Sequence, residues 1–516
     1  MSSRVLGLVR EQVFAAMFGA TKLMDAYLAA FQIPNLLRDL FAEGALSTAF
    51  TTTFAKTQEE EGPGPAWELA SILLSTLLVV LGAICVVGII ASPLLVQVTS
   101  FGFHQVAGKF ELTVRLTRIL FPFILLVSLA AVVMGMLNAR FIFGLPASAS
   151  TVFNIVSVVC GVGLAYVFDP QPDWRHPHFT QAALYGVSAG VMVGGLAQLV
   201  MQLPALWRLG YRFRWKAAFG DPRLRRVWSL AWPSMIAGAA VQVNVLVNAL
   251  FASEINGGRS WLSYAFRLMQ FPIGVFGVAI ATVTLPAVAL LHARKDRAAV
   301  GRTVEESLRL AFYLTVPATL GLVALAPDII GVIYQRGEFT AADTGRTAAA
   351  LRAYAIGLSG YAGLKVLQPC FYALDRPQTP LRVSLLGIGI NLALCLAMVK
   401  AFHLGHVGLA ASTGILALVN FVQLAAYLRR DVKYGGAKAW LGFMAAVGLA
   451  GLACGVAAWA VPVWIAGWGH GLAWRIATVI LAVAAGGGAY LAVSMLLKVN
   501  ESRAAIGLIS RRLGLK

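Results

Sequence analysis

Residues 73–95 read Leu73-Leu-Ser-Thr-Leu-Leu-Val-Val-Leu-Gly-Ala-Ile-Cys85-Val-Val-Gly-Ile-Ile-Ala-Ser-Pro-Leu-Leu95, with no charged side chain. At ~1.5 Å per residue this run is long enough to cross the ~30 Å hydrocarbon core of a bilayer as a helix. Residues 476–497 repeat the pattern near the other end of the chain. Lipid offers no partner to a bare N–H or C=O, so each such run is expected to be helical. Composition agrees. Of 516 residues, 59% are hydrophobic and 12% charged, against ~25% charged in soluble proteins, and the mean hydropathy is +0.78. There is too little charge to cover a water-facing surface, which excludes a soluble globular protein.

Outward from residues 73–95, breaks at polar and Pro/Gly clusters divide the chain into about fourteen spans. These are 5–20, 25–53, 68–96, 114–138, 147–168, 182–206, 227–252, 261–291, 308–334, 348–374, 381–402, 406–428, 439–464 and 472–497. Basic residues concentrate in one set of connections: Arg208 to Arg226, Arg294 to Arg302, Arg429 to Lys438, and the tail from Lys498. The alternate connections are poorer, with Arg175, Arg259, Lys400 and Arg475; Lys109 is an exception. The asymmetry predicts cytoplasmic termini and a cytoplasmic 208–226 connection. Met1 leads within a few residues to Arg4 and Arg10, so no cleavable leader is expected.

The chain also reads as doubled. Phe41-Ala-Glu-Gly-Ala-Leu-Ser-Thr-Ala-Phe50 and Phe276-Gly-Val-Ala-Ile-Ala-Thr-Val283 lie six spans apart, each after a segment with an arginine and a proline. The expected fold is an all-α polytopic transmembrane bundle of two pseudo-symmetric six-helix lobes plus two C-terminal helices, a plan common among secondary transporters. Its parts are an N-lobe over 1–208, a basic linker over 209–226, a C-lobe over 227–430, and the last two helices with the tail over 431–516.

The formal charge of +19 does not point to nucleic acid, because no soluble segment carries a basic stripe with interleaved aromatics. Cys85, Cys160, Cys370, Cys395 and Cys454 lie within apolar runs without metal or redox spacing and read as small core residues. An enzyme would need carboxylates or metal ligands on a sizeable loop. The best such cluster, Asp169 and Asp173 with His176 and His178, is threaded by prolines and reads as a surface turn. Glu59 to Glu61 before Gly62-Pro-Gly-Pro65 read as a solvated turn. The chain is therefore expected to be a transporter, not an enzyme, with no cofactor and no metal.

The informative residues are ionisable ones within spans: Arg4, Arg10, Asp25, Arg38, Asp39, Glu43, Arg267, Arg352 and Lys365. A cation at mid-bilayer costs ~2.5–3.5 kcal/mol on insertion scales, so a group of them is expected to face a wet cavity or one another. Pro34, Pro272 and Pro369 lie close to Arg38, Arg267 and Lys365, and a helical proline leaves the carbonyl four residues earlier unbonded. Excess positive charge calls for an anionic substrate, and guanidinium forks suit phosphate or diphosphate.

At these motifs the sequence resembles the MurJ (MviN) family, the lipid II flippases of bacterial peptidoglycan synthesis, within the MOP flippase superfamily. The residues that carry the resemblance are Ser3-Arg-Val-Leu-Gly-Leu-Val-Arg10, Asp25-Ala-Tyr, Ile33-Pro-Asn-Leu-Leu-Arg38 and Phe41-Ala-Glu-Gly-Ala45. Further on they are Tyr264-Ala-Phe-Arg267-Leu-Met-Gln-Phe-Pro272-Ile-Gly274, Tyr334-Gln-Arg-Gly-Glu-Phe-Thr340 and Lys365-Val-Leu-Gln-Pro369 with Phe371-Tyr.

The resemblance implies flipping of lipid II, an undecaprenyl diphosphate-linked disaccharide pentapeptide, from the cytoplasmic to the periplasmic face of the inner membrane by alternating access. It implies a V-shaped cavity between lobes in which Arg4, Arg10, Arg38 and Arg267 bind the diphosphate, with Asp25 as the acid. Asp39, Glu43, Gln270, Arg352 and Lys365 are further cavity candidates, and spans 439–464 and 472–497 would form a groove for the lipid tail. Membrane lipids and other cell-wall synthesis proteins are the implied partners. The alternative is a superfamily exporter of another lipid-linked oligosaccharide or of a drug, although a cationic drug would call for an acidic cavity.

Two departures stand out. The chain begins about a dozen residues later than is usual in the family, and a first span over 5–20 covers only ~24 Å, so a truncated first helix or misassigned start is expected. Where some members look to bind sodium through carboxylates on the seventh and eleventh helices, this chain offers only Asn248 and Asn391, weak candidates for a sodium site.

Overall fold

The computed structural model describes residues 2–41, 45–171, 177–432, 435–465, 467–469 and 471–502. They form helices joined by turns and divide into two compact units, Met1–Ser260 with Arg336–Phe339, and Trp261–Gln335 with Thr340–Lys516. In the first are α1 (Ser2–Phe18), α2 (Lys22–Phe41), α3 (Ala45–Glu60), α4 (Pro63–Ile90), α5 (Ser92–Thr99), α6 (Lys109–Leu120) and α7 (Phe123–Ala139). It continues with α8 (Gly144–Phe168), α9 (Gln181–Val200), α10 (Leu203–Arg208), α11 (Pro222–Ser253) and the start of α12 (Gly258–Pro272). In the second are the rest of α12, a π-helical turn (Ile273–Gly277), α13 (Val278–Ala293), α14 (Arg297–Tyr334), α15 (Ala341–Ala355) and α16 (Leu358–Ala373). It ends with α17 (Gln378–Cys395), α18 (Gly405–Asp431), α19 (Ala437–Trp464) and α20 (Leu472–Leu496).

Every expected span falls on a helix or on abutting helices, in an all-helical membrane bundle. The span expected over 25–53 is helical on both sides of residues 42–44, which lie outside the described residues, and the helix after them runs on to Glu60. The Ser/Thr run that reads as a helix end stays helical because Thr51, Thr52 and Thr53 donate to the carbonyls of Ser47, Thr48 and Ala49, one turn back. Ten helices among the described residues are long and apolar enough to cross a membrane. The spans missing from that set, built on α1, α2 with α3, α11, and α15 with α16, carry most of the candidate site residues.

Glycine sets the closest helix packing in the first unit. Gly186, Gly190 and Gly194 recur every fourth residue on α9 and lie against α8. A Cβ at Gly190 would stand 2.3 Å from the Gly161 backbone, and one at Gly186 2.5 Å from that of Leu164 and Ala165. Without a hydrophobic drive between helices in lipid, such small-residue seams let backbones approach and gain dispersion contact. The apolar core lies elsewhere in this unit, where Phe50 and Phe54 of α3 pack on Leu69, Leu73 and Leu77 of α4 and on Val133, Met136 and Leu137 of α7.

The basic connection before α11 is strapped to α4. Tyr211 is buried, its hydroxyl 3.1 Å from Ser71 Oγ, and the Lys216 amide donates to Ser75 Oγ at 3.0 Å. Lys216 pairs with Glu68, and Arg223 donates to the same carboxylate at 3.0 Å. Asp221 caps α11 by accepting the Arg223 amide at 2.8 Å. The hydrogen bond from the Arg223 side chain holds the Asp221 carboxyl below its ordinary value.

In the second unit α14 is the central element. Val300, Val304, Leu308 and Ala311 lie along one face of α14 and pack with Val366, Leu367, Cys370 and Phe371 of α16. The next turn, Phe312 and Tyr313, packs with Phe443, Val447 and Ala450 of α19 and Tyr490 of α20. The Tyr490 hydroxyl donates to the Tyr313 carbonyl at 2.7 Å. The trailing pair is thus bolted to α14.

Candidate functional site

In the first unit the ionisable groups close on themselves. Asp25, in the first turn of α2, is fully buried. Its Oδ1 accepts from the Ser260 amide at 3.0 Å and the Ser260 hydroxyl at 2.7 Å. Its Oδ2 accepts from Lys109 Nζ at 2.7 Å and the Gly257 amide at 2.7 Å. Those amides belong to the open N-terminus of α12, whose first turn has no partners of its own and carries positive partial charge. A carboxylate from α2 therefore caps a helix far along the chain.

Two cations surround it. Lys109, also fully buried, donates to Asn256 Oδ1 at 3.2 Å and stands 4.2 Å from the centroid of the Phe103 ring. Buried Arg259 donates to Gln32 Oε1 at 3.1 Å, Ser100 Oγ at 2.9 Å, the Ala249 carbonyl at 3.0 Å and the Thr99 carbonyl. Sequence reading counted Lys109 and Arg259 among loop cations and missed both. The available signal was that they stand in connections otherwise poor in cations.

A second fastening in this unit uses the Tyr334 to Thr340 motif. The Glu338 amide donates to the Ala16 carbonyl at 2.9 Å, and the Glu338 carboxylate meets His178 Nδ1 at 2.7 Å. Gly337 (φ +57°) and Gly19 (φ +61°) make this approach possible; a Cβ on Gly337 would stand 2.2 Å from the Ala16 oxygen. His178 thus faces Glu338, while Asp169 accepts the Thr180 amide. Asp173 and His176 lie outside the described residues, as does Glu43.

The other first-unit candidates lie on α1 and α2. Arg4 is in the first turn of α1. Arg10 holds its guanidinium 5.2 Å from the Phe153 ring and 6.0 Å from that of Phe31. Arg38 pairs with Asp39 at 2.8 Å, and the other oxygen of Asp39 accepts Gln242 Nε2 of α11 at 3.1 Å. Asn248 is half-buried in α11.

The second unit has the opposite character. On α12, Trp261, Tyr264, Ala265, Leu268 and Met269 are buried, while Arg267, Gln270 and Phe271 are exposed on the opposite face. Spacings of three and four residues put Arg267, Gln270 and Phe271 on one stripe. Pro272 ends the regular helix by failing to bond back to the Leu268 carbonyl, and the five-residue π-helical turn follows at once. At the end of that turn Gly277 brings the backbone against α16; a Cβ there would lie 3.6 Å from Lys365 Cβ and 3.4 Å from Ala362 Cα. Lys365 is exposed between buried neighbours and has no hydrogen-bond or ion-pair partner among the described residues.

Arg352 is placed differently from a cavity cation. Its Nε donates to the Val323 carbonyl at 3.0 Å, the carbonyl that Pro327 leaves unbonded four residues later in α14. Asn391 is fully buried in α17, where its Oδ1 accepts the Cys395 thiol at 3.8 Å. Neither α11 nor α17 contains a carboxylate. The described residues hold no grouping of three or more His, Cys, Asp or Glu that could bind a metal. Chemically, a guanidinium and an ammonium on proline-bearing helices can receive an anion, and no group beside them among the described residues is arranged for bond breaking.

A family model described as "Lipid II flippase MurJ" matches residues 14–478. The chain is 34% identical over 461 residues to the "Lipid II flippase MurJ" of Burkholderia cenocepacia, covering 87% of this chain and 86% of that one. It is 31% identical over 507 residues to the "Probable lipid II flippase MurJ" of Vibrio cholerae serotype O1, covering 96% and 94%. Among solved structures, it is similar in fold to a lipid II flippase MurJ in an inward closed conformation, with TM-score 0.77 at 22% identity and 98% of both chains covered. An inward-facing multidrug resistance MATE transporter of the MOP superfamily follows, with TM-score 0.70 at 14% identity, covering 84% of this chain and 95% of that one.

Proposed function

The chain belongs to the lipid II flippase MurJ family, and from that premise we propose that it moves lipid II from the cytoplasmic to the periplasmic face of the inner membrane by alternating access. The observation that carries this reading is the open stripe of α12, where Arg267 and Gln270 stand exposed beside a proline and a π turn. An exposed cation within a span is costly, and a charged passenger offsets that cost. Arg4, Arg10, Arg38 and Arg267 are the proposed ligands of the diphosphate, which a guanidinium fork grips by two parallel hydrogen bonds. Lys365 supplies a further positive charge. Asp25, with its acceptor positions filled by protein donors, is proposed as a positioning residue that holds the start of α12.

Both termini and the strap between α10 and α11 are proposed as cytoplasmic, on the side richer in Lys and Arg. A cysteine at Ala217 should therefore react with an impermeant reagent only from the cytoplasm. Outward movement of the substrate's negative charge is favoured by ~2.3 kcal/mol per charge per 100 mV at an inside-negative potential. With neutral Asn248 and Asn391 in α11 and α17, the potential is the proposed driver. Valinomycin with potassium should stop flipping, and replacing sodium by choline should not; a sodium requirement at constant potential would overturn this assignment. Depleting the protein should make lipid II accumulate on the cytoplasmic face, and unchanged outer-face lipid II after depletion would refute the function.

A further inference from the structure

A cavity of about 310 Å³ opens in the second unit where α14 ends, α15 begins and the turn from α19 to α20 passes. Its size is at the lower end of the ~300–1,000 Å³ usual for small-molecule sites. Asp328, Gln335, Thr344, Trp474 and Arg475 are among its lining residues. The half-buried Asp328 carboxylate accepts no side-chain hydrogen bond and forms no close ion pair among the described residues, although the Arg475 and Arg352 charges lie near enough to act on it. The nearby guanidinium of Arg352 is turned to the Val323 carbonyl. Arg475 donates one N–H to Gln335 Oε1 at 3.1 Å, and its remaining donors meet no side chain among the described residues. One wall of the cavity thus offers an unfilled acceptor and another offers unfilled guanidinium donors.

Depth narrows the ligand. On the same turn Trp464 and Trp468 are 72% and 64% exposed with ring centroids 5.0 Å apart, and Trp474 lines the cavity itself. Exposed tryptophans at the ends of apolar spans mark the headgroup level of a bilayer. By the proposed orientation this is the periplasmic leaflet. A ligand at that depth that satisfies both Asp328 and Arg475 needs an N–H-bearing cation and a phosphate in one headgroup. A purely anionic headgroup would leave Asp328 facing negative charge, and a quaternary ammonium has no N–H to donate.

We propose that this cavity binds the headgroup of a phospholipid with a primary ammonium, its phosphodiester on Arg475 and its ammonium on Asp328. The test is native mass spectrometry of the full chain with phosphatidylethanolamine, phosphatidylcholine and phosphatidylglycerol at equal mole fractions. Phosphatidylethanolamine should be retained about tenfold over each of the others, the scale of one charge-assisted hydrogen bond. Asp328→Asn should abolish that preference, and Arg475→Gln should lower retention of all three lipids. Thermal unfolding in lipid-free detergent should be unchanged for both variants. A parent protein without the preference, or an Asp328→Asn protein that keeps it, overturns the proposal. The Arg475→Gln variant, at an exposed side chain, tests the phosphate half independently: unchanged retention there also overturns it.

Discussion

The charges around Asp25 and those along α12 are of the same kinds, yet the protein treats them oppositely. Around Asp25, both carboxylate oxygens, the Lys109 ammonium and the Arg259 guanidinium are buried among partners. Along the open stripe, Arg267 and Gln270 stand exposed next to Pro272 and a π turn. The difference teaches how to read a charge within a span. One that is enclosed among hydrogen-bond partners holds helices in place, while one exposed beside a π turn is the proposed contact for a passenger. Charge in a hydrophobic segment is not by itself a sign of contact with substrate.

The largest effect expected from this contrast is on stability. Removing one member of a buried, hydrogen-bonded ion pair costs ~3–5 kcal/mol because its partner is left charged and enclosed. Asp25→Ala should therefore unfold at far lower temperature in detergent and accumulate poorly. Lys109→Met should cost less, since Asp25 keeps the Gly257 and Ser260 donors. The double variant Asp25→Asn/Lys109→Met should recover part of the loss; no recovery would break the description of this cluster as a closed ion pair.

Next in size is transport. Arg267→Ala should insert normally but lose lipid II flipping by about 10- to 100-fold, as for one or two charge-assisted hydrogen bonds. Arg267→Lys should recover only part of it, because a point charge does not reproduce the planar fork. Full complementation of a depleted strain by the lysine variant would remove diphosphate recognition from the assignment.

Arg352 sharpens the comparison from the other side, as an exposed cation with a structural duty. Arg352→Ala should cost ~1 kcal/mol of stability by leaving the Val323 carbonyl without its donor. In a Pro327→Ala background the new backbone N–H can take that carbonyl, and Arg352→Ala should then cost almost nothing. Equal losses in both backgrounds would mean that Arg352 acts elsewhere.

The smallest expected effect is the pH response of the strap on α4. The Asp221 carboxyl is held below its ordinary value of 3.8 by Arg223. Its contribution is thus fully present above that value and is lost as pH falls through the lower folded value. Hydrogen exchange in residues 209–221 should rise only below about pH 4, and Asp221→Asn should raise it already at neutral pH. An acid-insensitive strap in the parent would contradict the pairing.

The bundle was legible because apolar length is a local property, readable wherever 20 or so residues run without charge. The four helical spans that a strict hydropathy test passes over still read as apolar runs between polar and Pro/Gly breaks, and they carry Arg10, Asp25, Arg38, Arg352 and Lys365. Pro272 marked the irregular turn that follows Arg267. What sequence did not disclose is which distant groups the charges meet. Asp25 meets Lys109 84 positions away and Ser260 235 away, and Arg352 meets a carbonyl 29 positions back. No periodicity encodes such pairings. The helix that continues past Thr53 was hidden for another reason, since hydroxyls that bond one turn back let a polar run remain helical.

Lipid II affinity directly tests the division between charges that hold helices and charges proposed to receive substrate. Binding to the purified full chain should be compared for the parent, Arg267→Ala and Asp25→Asn, each confirmed folded by its retention in detergent. Arg267→Ala should weaken binding at least about tenfold, while Asp25→Asn should stay within about threefold of the parent despite its lower stability. The reverse order, with binding lost in Asp25→Asn and kept in Arg267→Ala, would contradict the division and return Asp25 to the substrate site.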